Sequence, residues 1–322
     1  MKQTKAIATE NLTKYYGDLT AVDHLNLSVE KGEIFGYLGP NGAGKSTTIR
    51  MLVGLTNPSK GTAFVEGFNI SKDLVEIKRR IGVVPETSNL YNELTLWDNL
   101  LYVSRLYHVA RGMREKRVEE LVQLFNLEEF KRRKFGKLSK GLKRRTVLAA
   151  AIVHNPSLVF LDEPTSGLDV VSARALRDLI TGFKDRGITV FMTTHYIEEA
   201  DRLCDRIGLL VKGKLIAVEA PESLKSRVQR MPILETTLTP PNAINRSHLE
   251  ALSASDIQVS GEKLNIYTGD VSKTLMALHR LAENNKFRIE GVNTIKPSLE
   301  DAFVKLTGVT LETMRIDKEG RG

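Results

Sequence analysis

The sequence predicts an α/β fold: a parallel sheet flanked by helices, interrupted by a helical insertion and followed by a smaller α+β unit. Three observations carry this. Short apolar strand patterns alternate with helical ones through the first third of the chain and again after Leu158. From Leu94 to about Leu127 the pattern is helical only, with Leu96, Leu100, Val103 and Tyr107 on one face. Past Pro221 a second series of strands and helices begins. At 322 residues the chain has room for both units and their cores.

Taken in order, Val22, Leu25, Leu27 and Val29 alternate as strand up to the Lys31-Gly32 turn, and the apolar run Ile34–Leu38 ends at a glycine-rich loop. A helix through Met51-Leu52-Val53, the Asn57–Gly61 loop, a strand Thr62–Glu66, a helix near Ser71–Arg80 and a strand Ile81–Val84 follow. Leu158–Leu161 has no polar face, as expected of a strand buried inside a parallel sheet. A helix from Val170 to Lys184, a strand from Thr189 and a helix from Tyr196 continue the alternation. Ile207–Val211 and Lys214–Val218 read as a hairpin turning at Lys212-Gly213. In the second unit, strand patterns at Ile233–Leu238, Ile257–Val259, Leu264–Tyr267 and Phe287–Val292 combine with helices at His248–Leu252 and Val271–Glu283. Their order, βαββαβ, suits a ferredoxin-like domain. A last helix lies near Leu299–Leu306, and the polar tail after Met314 reads as frayed.

Composition narrows the classes. No stretch approaches the ~18 apolar residues of a membrane helix. Met1–Lys5 is followed by no apolar run and does not read as a signal peptide. One cysteine, Cys204, excludes an internal disulfide and fits a reducing cytosol. The net charge of +8 is concentrated in Lys131, Arg132, Arg133, Lys134, Lys137, Lys140, Lys143, Arg144 and Arg145. Such a cluster can be a solvated helix face, or can attract phosphate, an anionic bilayer or a nucleic acid. Charge alone does not choose among them.

Gly39-Pro40-Asn41-Gly42-Ala43-Gly44-Lys45-Ser46 fits G-x-x-x-x-G-K-[ST], with a strand before it and a helix after. Glycines let backbone N–H groups curl around phosphate oxygens, and the following helix points its positive end at them. The candidate nucleotide contacts are therefore Gly39, Asn41, Gly42, Ala43, Gly44, Lys45, Ser46 and the adjoining Thr47. Lys45 would reach the β- and γ-phosphates and the Ser46 hydroxyl would ligate Mg²⁺. The strand Leu158–Leu161 ends in Asp162 and Glu163, at the carboxyl edge where open α/β sheets bind ligands. Asp162 would hold Mg²⁺ through water, and Glu163 would serve as general base toward the attacking water.

With those two halves on the page, the chain resembles the nucleotide-binding subunits of ABC transporters over residues 1 to about 220. Leu138-Ser139-Lys140-Gly141-Leu142 resembles that family's signature motif, Ser166-Gly167-Leu168-Asp169 its D-loop, His195 its switch histidine and Tyr16 its adenine-stacking aromatic. The resemblance implies a P-loop NTPase core with a helical subdomain over about 87–155, ATP and Mg²⁺ as ligands, and a head-to-tail homodimer. In that arrangement Ser139 and Gly141 of one copy face the ATP of the other, His195 holds the γ-phosphate and Asp169 couples the two sites. Two departures stand out. Glu86 replaces the family's usual glutamine, so the loop keeps an acceptor able to bind Mg²⁺ but loses the amide's donor. Lys140 and Leu142 replace the usual Gly and Gln.

The terminal segment Pro297–Gly308 resembles that of ATPases paired with ABC-2-type membrane subunits, such as daunorubicin-resistance and sodium-efflux ATPases. This implies an ATPase on the cytoplasmic face of the cell membrane, energising export through a separate membrane-spanning subunit, with 221–322 as a small C-terminal domain. The alternative is a soluble ABC ATPase acting on a ribosome, a nucleic acid or an assembly scaffold. The single P-loop and the lack of long heptads or Cys pairs speak against that alternative, and against a nucleic-acid partner.

Overall fold

A computed structural model describes residues 5–228, 232–240, 243–244, 248, 250–260, 263–295, 298–309 and 314. The chain opens on a strand that pattern-reading from Val22 onward passes over, β1 (Lys5–Tyr16). Its alternation is broken: Ala6 and Ile7 are both buried, as are Leu12 and Thr13, and the pairing register shifts at several points along it. Bulges of this kind erase the period-2 signal while preserving the strand. The hydrophobic strand residues Val22 and Leu25 lie on β2 (Leu19–Leu25), and Val29 on β3 (Ser28–Glu30). The apolar run before the glycine loop is β4 (Ile34–Leu38), buried throughout, and α1 (Lys45–Leu52) follows the loop.

Next come β5 (Lys60–Val65), β6 (Phe68–Asn69), α2 (Leu74–Arg80) and β7 (Ile81–Val84). The helical stretch resolves into α3 (Leu96–Leu106), α4 (Arg114–Leu124) and α5 (Lys140–Ala151). Thr95 starts α3 by accepting from the Asp98 N–H, at 3.0 Å. Arg117 on α4 donates to the carbonyls of Ile152 and Val153, satisfying acceptors left open at the end of α5. The sheet then resumes with β8 (Leu158–Asp162), α6 (Val170–Asp185), β9 (Thr189–Thr194), α7 (Ile197–Leu203), β10 (Arg206–Val211) and β11 (Lys214–Glu219). Lys212 and Gly213 both take positive φ, the geometry a tight hairpin requires.

Two sheets build this part. One has the order β11-β10-β4-β9-β8-β7, parallel except for the β11 edge; the other is antiparallel, β2-β1-β5-β6 with β3 beside β1. Phe35, Tyr37, Phe160 and Phe191 from the parallel strands share one core with Ile49 and Leu52 of α1 and with Ile7, Leu25 and Val65. Each such fully buried side chain contributes roughly 1.5–3 kcal/mol of burial free energy. This core fixes the carboxyl ends of β4, β8 and β9, where the loops of interest emerge.

A second compact unit spans Glu222–Lys305, while the chain from Leu306 groups with the first unit. Its elements are α8 (Pro221–Val228), β12 (Ile233–Thr239), β13 (Ala254–Ser260), β14 (Lys263–Thr268), α9 (Val271–Asn285) and β15 (Arg288–Ile295), before α10 (Leu299–Thr307). The sheet order is β13-β14-β12-β15, all antiparallel, and Leu278 of α9 packs with Leu234, Ile257, Leu264 and Ile266. The helix expected at His248–Leu252 falls only in part on the described residues, where Leu252 N–H donates to His248 O and Ser253 N–H to Glu250 O. The tail after Met314 lies outside the described residues.

Candidate functional site

The loop after β4 turns into α1 through Gly44, whose φ of +107° is left-handed and whose absent Cβ would strike the Ala21 carbonyl oxygen. No acidic side chain occupies the first turn of α1, so its free amides and dipole are left for an external anion. Lys45, 5% exposed, donates from Nζ to Gly39 O at 2.7 Å and Pro40 O at 3.0 Å. Its Nζ also lies 3.4 Å from Glu163 Oε1. Burial lowers the Lys45 pKa, against the opposing pull of Glu163, Asp162 and Glu86.

β8 delivers Asp162 to the same place. Asp162 Oδ1 accepts from Ser46 Oγ at 3.1 Å and from Thr193 Oγ1 at 2.6 Å. One step on, Glu163 adopts φ +46°, uncommon for a residue with a Cβ, and β9 holds it there. The Glu163 N–H donates to both the Thr193 carbonyl and its hydroxyl, at 3.2 and 3.0 Å. The bend aims the Glu163 carboxylate at Lys45 on one side and His195 on the other. Burial pushes this carboxyl up, but His195 and Lys45 together outweigh burial and hold it below the ordinary glutamate range.

His195 Nδ1 stands 2.8 Å from Glu163 Oε2. The ring packs on Tyr196, centroids 4.0 Å apart. Its backbone is pinned on both flanks. Gly39 N–H donates to Thr194 O, Tyr196 N–H to Thr194 Oγ1, and Thr194 Oγ1 to the buried Glu199 carboxylate at 2.8 Å. Lys45, Ser46, Asp162, Glu163 and His195 thus form one contact cluster, and the charge of Glu86, just past β7, reaches Lys45 as well.

The remaining candidates lie apart from that cluster. Ser139 caps α5, accepting from the Leu142 N–H, and Gly141 abuts Ser172 so closely that a Cβ would lie 2.5 Å from its hydroxyl. Ser172 in turn donates its N–H and its hydroxyl to Asp169, the cap of α6. Tyr16 ends β1, 46% exposed, with Lys14 Nζ over its ring at 5.1 Å. Asn41, Gly42, Ala43 and Thr47 complete the loop and the start of α1, with Gly42 also at positive φ.

Sequence reasoning missed Thr193, Glu199 and Arg144. The first two are signalled only by adjacency to His195. Arg144 looks from the sequence like one more member of the basic cluster, yet it is 8% exposed and binds backbone carbonyls around the site. The rest of the cluster is largely solvated: Arg132, Arg133, Lys134, Lys137 and Lys140 are exposed, while Lys131 pairs with Glu119 over the Trp97 ring.

The residues fit a hard divalent cation. Ser46 Oγ and an Asp162 carboxylate oxygen lie 3.1 Å apart, a pair of oxygens of the kind that holds magnesium jointly with phosphates. Among the described residues no group of three or more His, Cys, Asp or Glu side chains is placed to hold a metal alone.

Comparison with known proteins agrees with this geometry. A family described as "ABC transporter" matches residues 22–166. The linearmycin resistance ATP-binding protein of Bacillus subtilis is 36% identical, over 95% of this chain and 99% of its own length. The bacitracin transport ATP-binding protein of Bacillus licheniformis is 35% identical, over 94% and 97%. Among solved structures, the dimeric post-hydrolysis state of the ATP-binding cassette MJ0796 with ADP and phosphate aligns with a TM-score of 0.61 at 28% identity, over 66% of this chain and 98% of that one.

Proposed function

Because this chain belongs to the ABC transporter family as one of its ATP-binding proteins, we propose that it is the ATP-hydrolysing subunit of an exporter, acting through a separate membrane-spanning subunit. The observation that carries hydrolysis is the Lys45–Glu163–His195 cluster: a carboxylate kept ionised, next to a lysine placed for phosphate. Among the described residues no helix is long and apolar enough to cross a membrane, and in this reading the transport path lies in another chain. The place of work is then the cytoplasmic face of the membrane. Relatives matched along nearly their whole length are a resistance protein and a transport protein, and this favours export over a soluble machine on a ribosome, nucleic acid or scaffold.

In this reading the amides of Gly39–Thr47 and the Lys45 ammonium take the phosphates, and Tyr16 takes the adenine. Lys45 exchanges its carbonyl partners and Glu163 for the phosphate oxygens. Ser46 and Asp162, with Glu86 within electrostatic range, would hold Mg²⁺, which when bound neutralises charge on the β- and γ-phosphates. Glu163 accepts a proton from water as the water oxygen bonds to the γ-phosphorus, and the bond to the ADP oxygen breaks. His195 steadies the γ-phosphate.

The finer assignments rest on sequence resemblance supported by local geometry. The membrane subunit is of the ABC-2 type. Two copies meet head to tail, with Ser139 and Gly141 of one against the nucleotide of the other. Asp169, tied to Gly141 through Ser172, carries the state of one site to its neighbour. Residues 1–220 form the ATPase domain with its helical subdomain at about 87–155, and 221–322 a ferredoxin-like addition.

Replacing Glu163 by Gln tests the reading. With Mg²⁺ and ATP, the full chain should lose hydrolysis by about 100-fold or more and accumulate as an ATP-bound dimer, read by light scattering on a sizing column. A variant that stays monomeric and hydrolyses at the unsubstituted rate removes Glu163 as the base.

A further inference from the structure

Away from the nucleotide cluster, a cavity of about 300 Å³ opens where the end of α4 meets the second half of α6. Its walls are apolar. Leu124 and Phe125 come from the end of α4, Leu179 and Phe183 from α6. Phe125 and Phe183 are buried and meet edge to face, their ring centroids 6.5 Å apart. The rim is charged, formed by Asp178, Asp185 and Arg186, all three exposed. Among the described residues neither the Asp178 nor the Asp185 carboxylate has an ion pair or a hydrogen-bond donor.

Two residues on this face of α6 work against the helix and serve no packing need. Gly182 lies in the helix interior, where only proline is less favourable. A Cβ built on it meets no atom within 4 Å, so no close contact demands glycine there. What the missing side chain does is keep the cavity open. Asp185 is the last residue of α6, at the negative end of the helix dipole, where an acid is disfavoured. Asp178, Gly182 and Asp185 follow the i, i+4, i+7 spacing of one helix face, which sets a carboxylate on each side of the gap.

We propose that this cavity binds a small organic monocation with an apolar body, its ammonium held by Asp178 and Asp185 and its body by Phe125 and Phe183. The volume stands at the lower end of small-molecule pockets and admits a single ring system. Removing that ring from water against the two phenylalanines supplies the attraction, and aromatic rings also favour a nearby cation. Two carboxylates against the one guanidinium of Arg186 leave the rim with a single net negative charge, which matches a monocation and repels an anion. A bound molecule touches α4 and α6 at once. The site is separate from the nucleotide cluster, and the proposal does not rest on the hydrolysis reading.

The test is calorimetric titration of the full chain at neutral pH with tryptamine as the probe. Tryptophol, with a hydroxyl in place of the ammonium, and indole-3-acetate, with a carboxylate, are the neutral and anionic counterparts. Tryptamine should bind about 10-fold or more tighter than tryptophol, and indole-3-acetate should not bind. Gly182→Leu fills the gap with a better helix former, so it should abolish tryptamine binding while raising the midpoint of thermal unfolding. Asp178→Asn combined with Asp185→Asn should reduce tryptamine to the affinity of tryptophol. Equal affinity for tryptamine and tryptophol would make the cavity a plain apolar cleft, and tighter binding of indole-3-acetate would make it an anion site at Arg186; either overturns the proposal. So does tryptamine binding that Gly182→Leu leaves unchanged, or no saturable binding below about 10 mM. Self-association of the chain that Gly182→Leu abolishes, with no tryptamine bound, would assign the cavity to a second copy and overturn it as well.

Discussion

Glu86 stands where the family usually has glutamine, and the exchange turns a loop residue with donor and acceptor into an acceptor only. Its charge lies close enough to act on Lys45 and Arg144, and its carbonyl is held by Arg144 whichever side chain is present. Glu86→Gln should therefore keep the loop in place and leave hydrolysis within about 10-fold of the starting rate, measured as phosphate release. Complete loss would mean the carboxylate performs a step of its own. At this scale the sequence is most informative where the chemistry is local. Lys45 and Ser46 are legible because one loop and one helix start supply everything they need. Asp162 and Glu163 are legible because an apolar strand must end at the sheet's carboxyl edge. Arg144 is illegible because its partners come from Pro85–Glu86 and Asp162–Pro164, segments that only the folded sheet brings to one side chain.

The end of α5 offers a prediction about an element. His154 follows it, its ring stacked on Tyr107 at 3.9 Å and its Nε2–H donating to Ile81 O at 3.0 Å. Its Nδ1 is buried without a partner, and burial lowers the pKa to about 4. In the unfolded chain the ring protonates near its ordinary value of about 6.5, so between about 6.5 and 4 the unfolded state binds more protons. Stability contributed by neutral His154 is full above about 6.5 and drains away as pH falls through that window. Denaturant unfolding of the chain and of His154→Asn should show their stability gap closing by about 1–2 kcal/mol between pH 7 and pH 4.5, allowing for the ring's partial exposure. A gap that stays constant would contradict the buried neutral ring. Elements with an unbroken apolar run, such as β4 and β8, or an unbroken helical period, such as α6, are plain in the sequence. β1 is hidden by its bulges.

For the whole molecule, the parallel sheet and its antiparallel neighbour present a nucleotide site, and among the described residues no helix is long and apolar enough to cross a membrane. Relatives that are resistance and transport ATP-binding proteins support the proposed membrane partner, and the fold supplies connections leading away from the site: Arg144 from the carboxylates to α5, Arg117 and His154 from α5 to α4, Tyr107 and β7. The account's central claim is that this protein drives a separate polytopic membrane protein. Its most direct test is a pull-down from gently solubilised native membranes with tagged Glu163→Gln as bait and ATP present. The account predicts one stoichiometric multi-span membrane protein, retained with ATP. Ribosomal proteins or nucleic acid in its place, with no membrane protein, would contradict it.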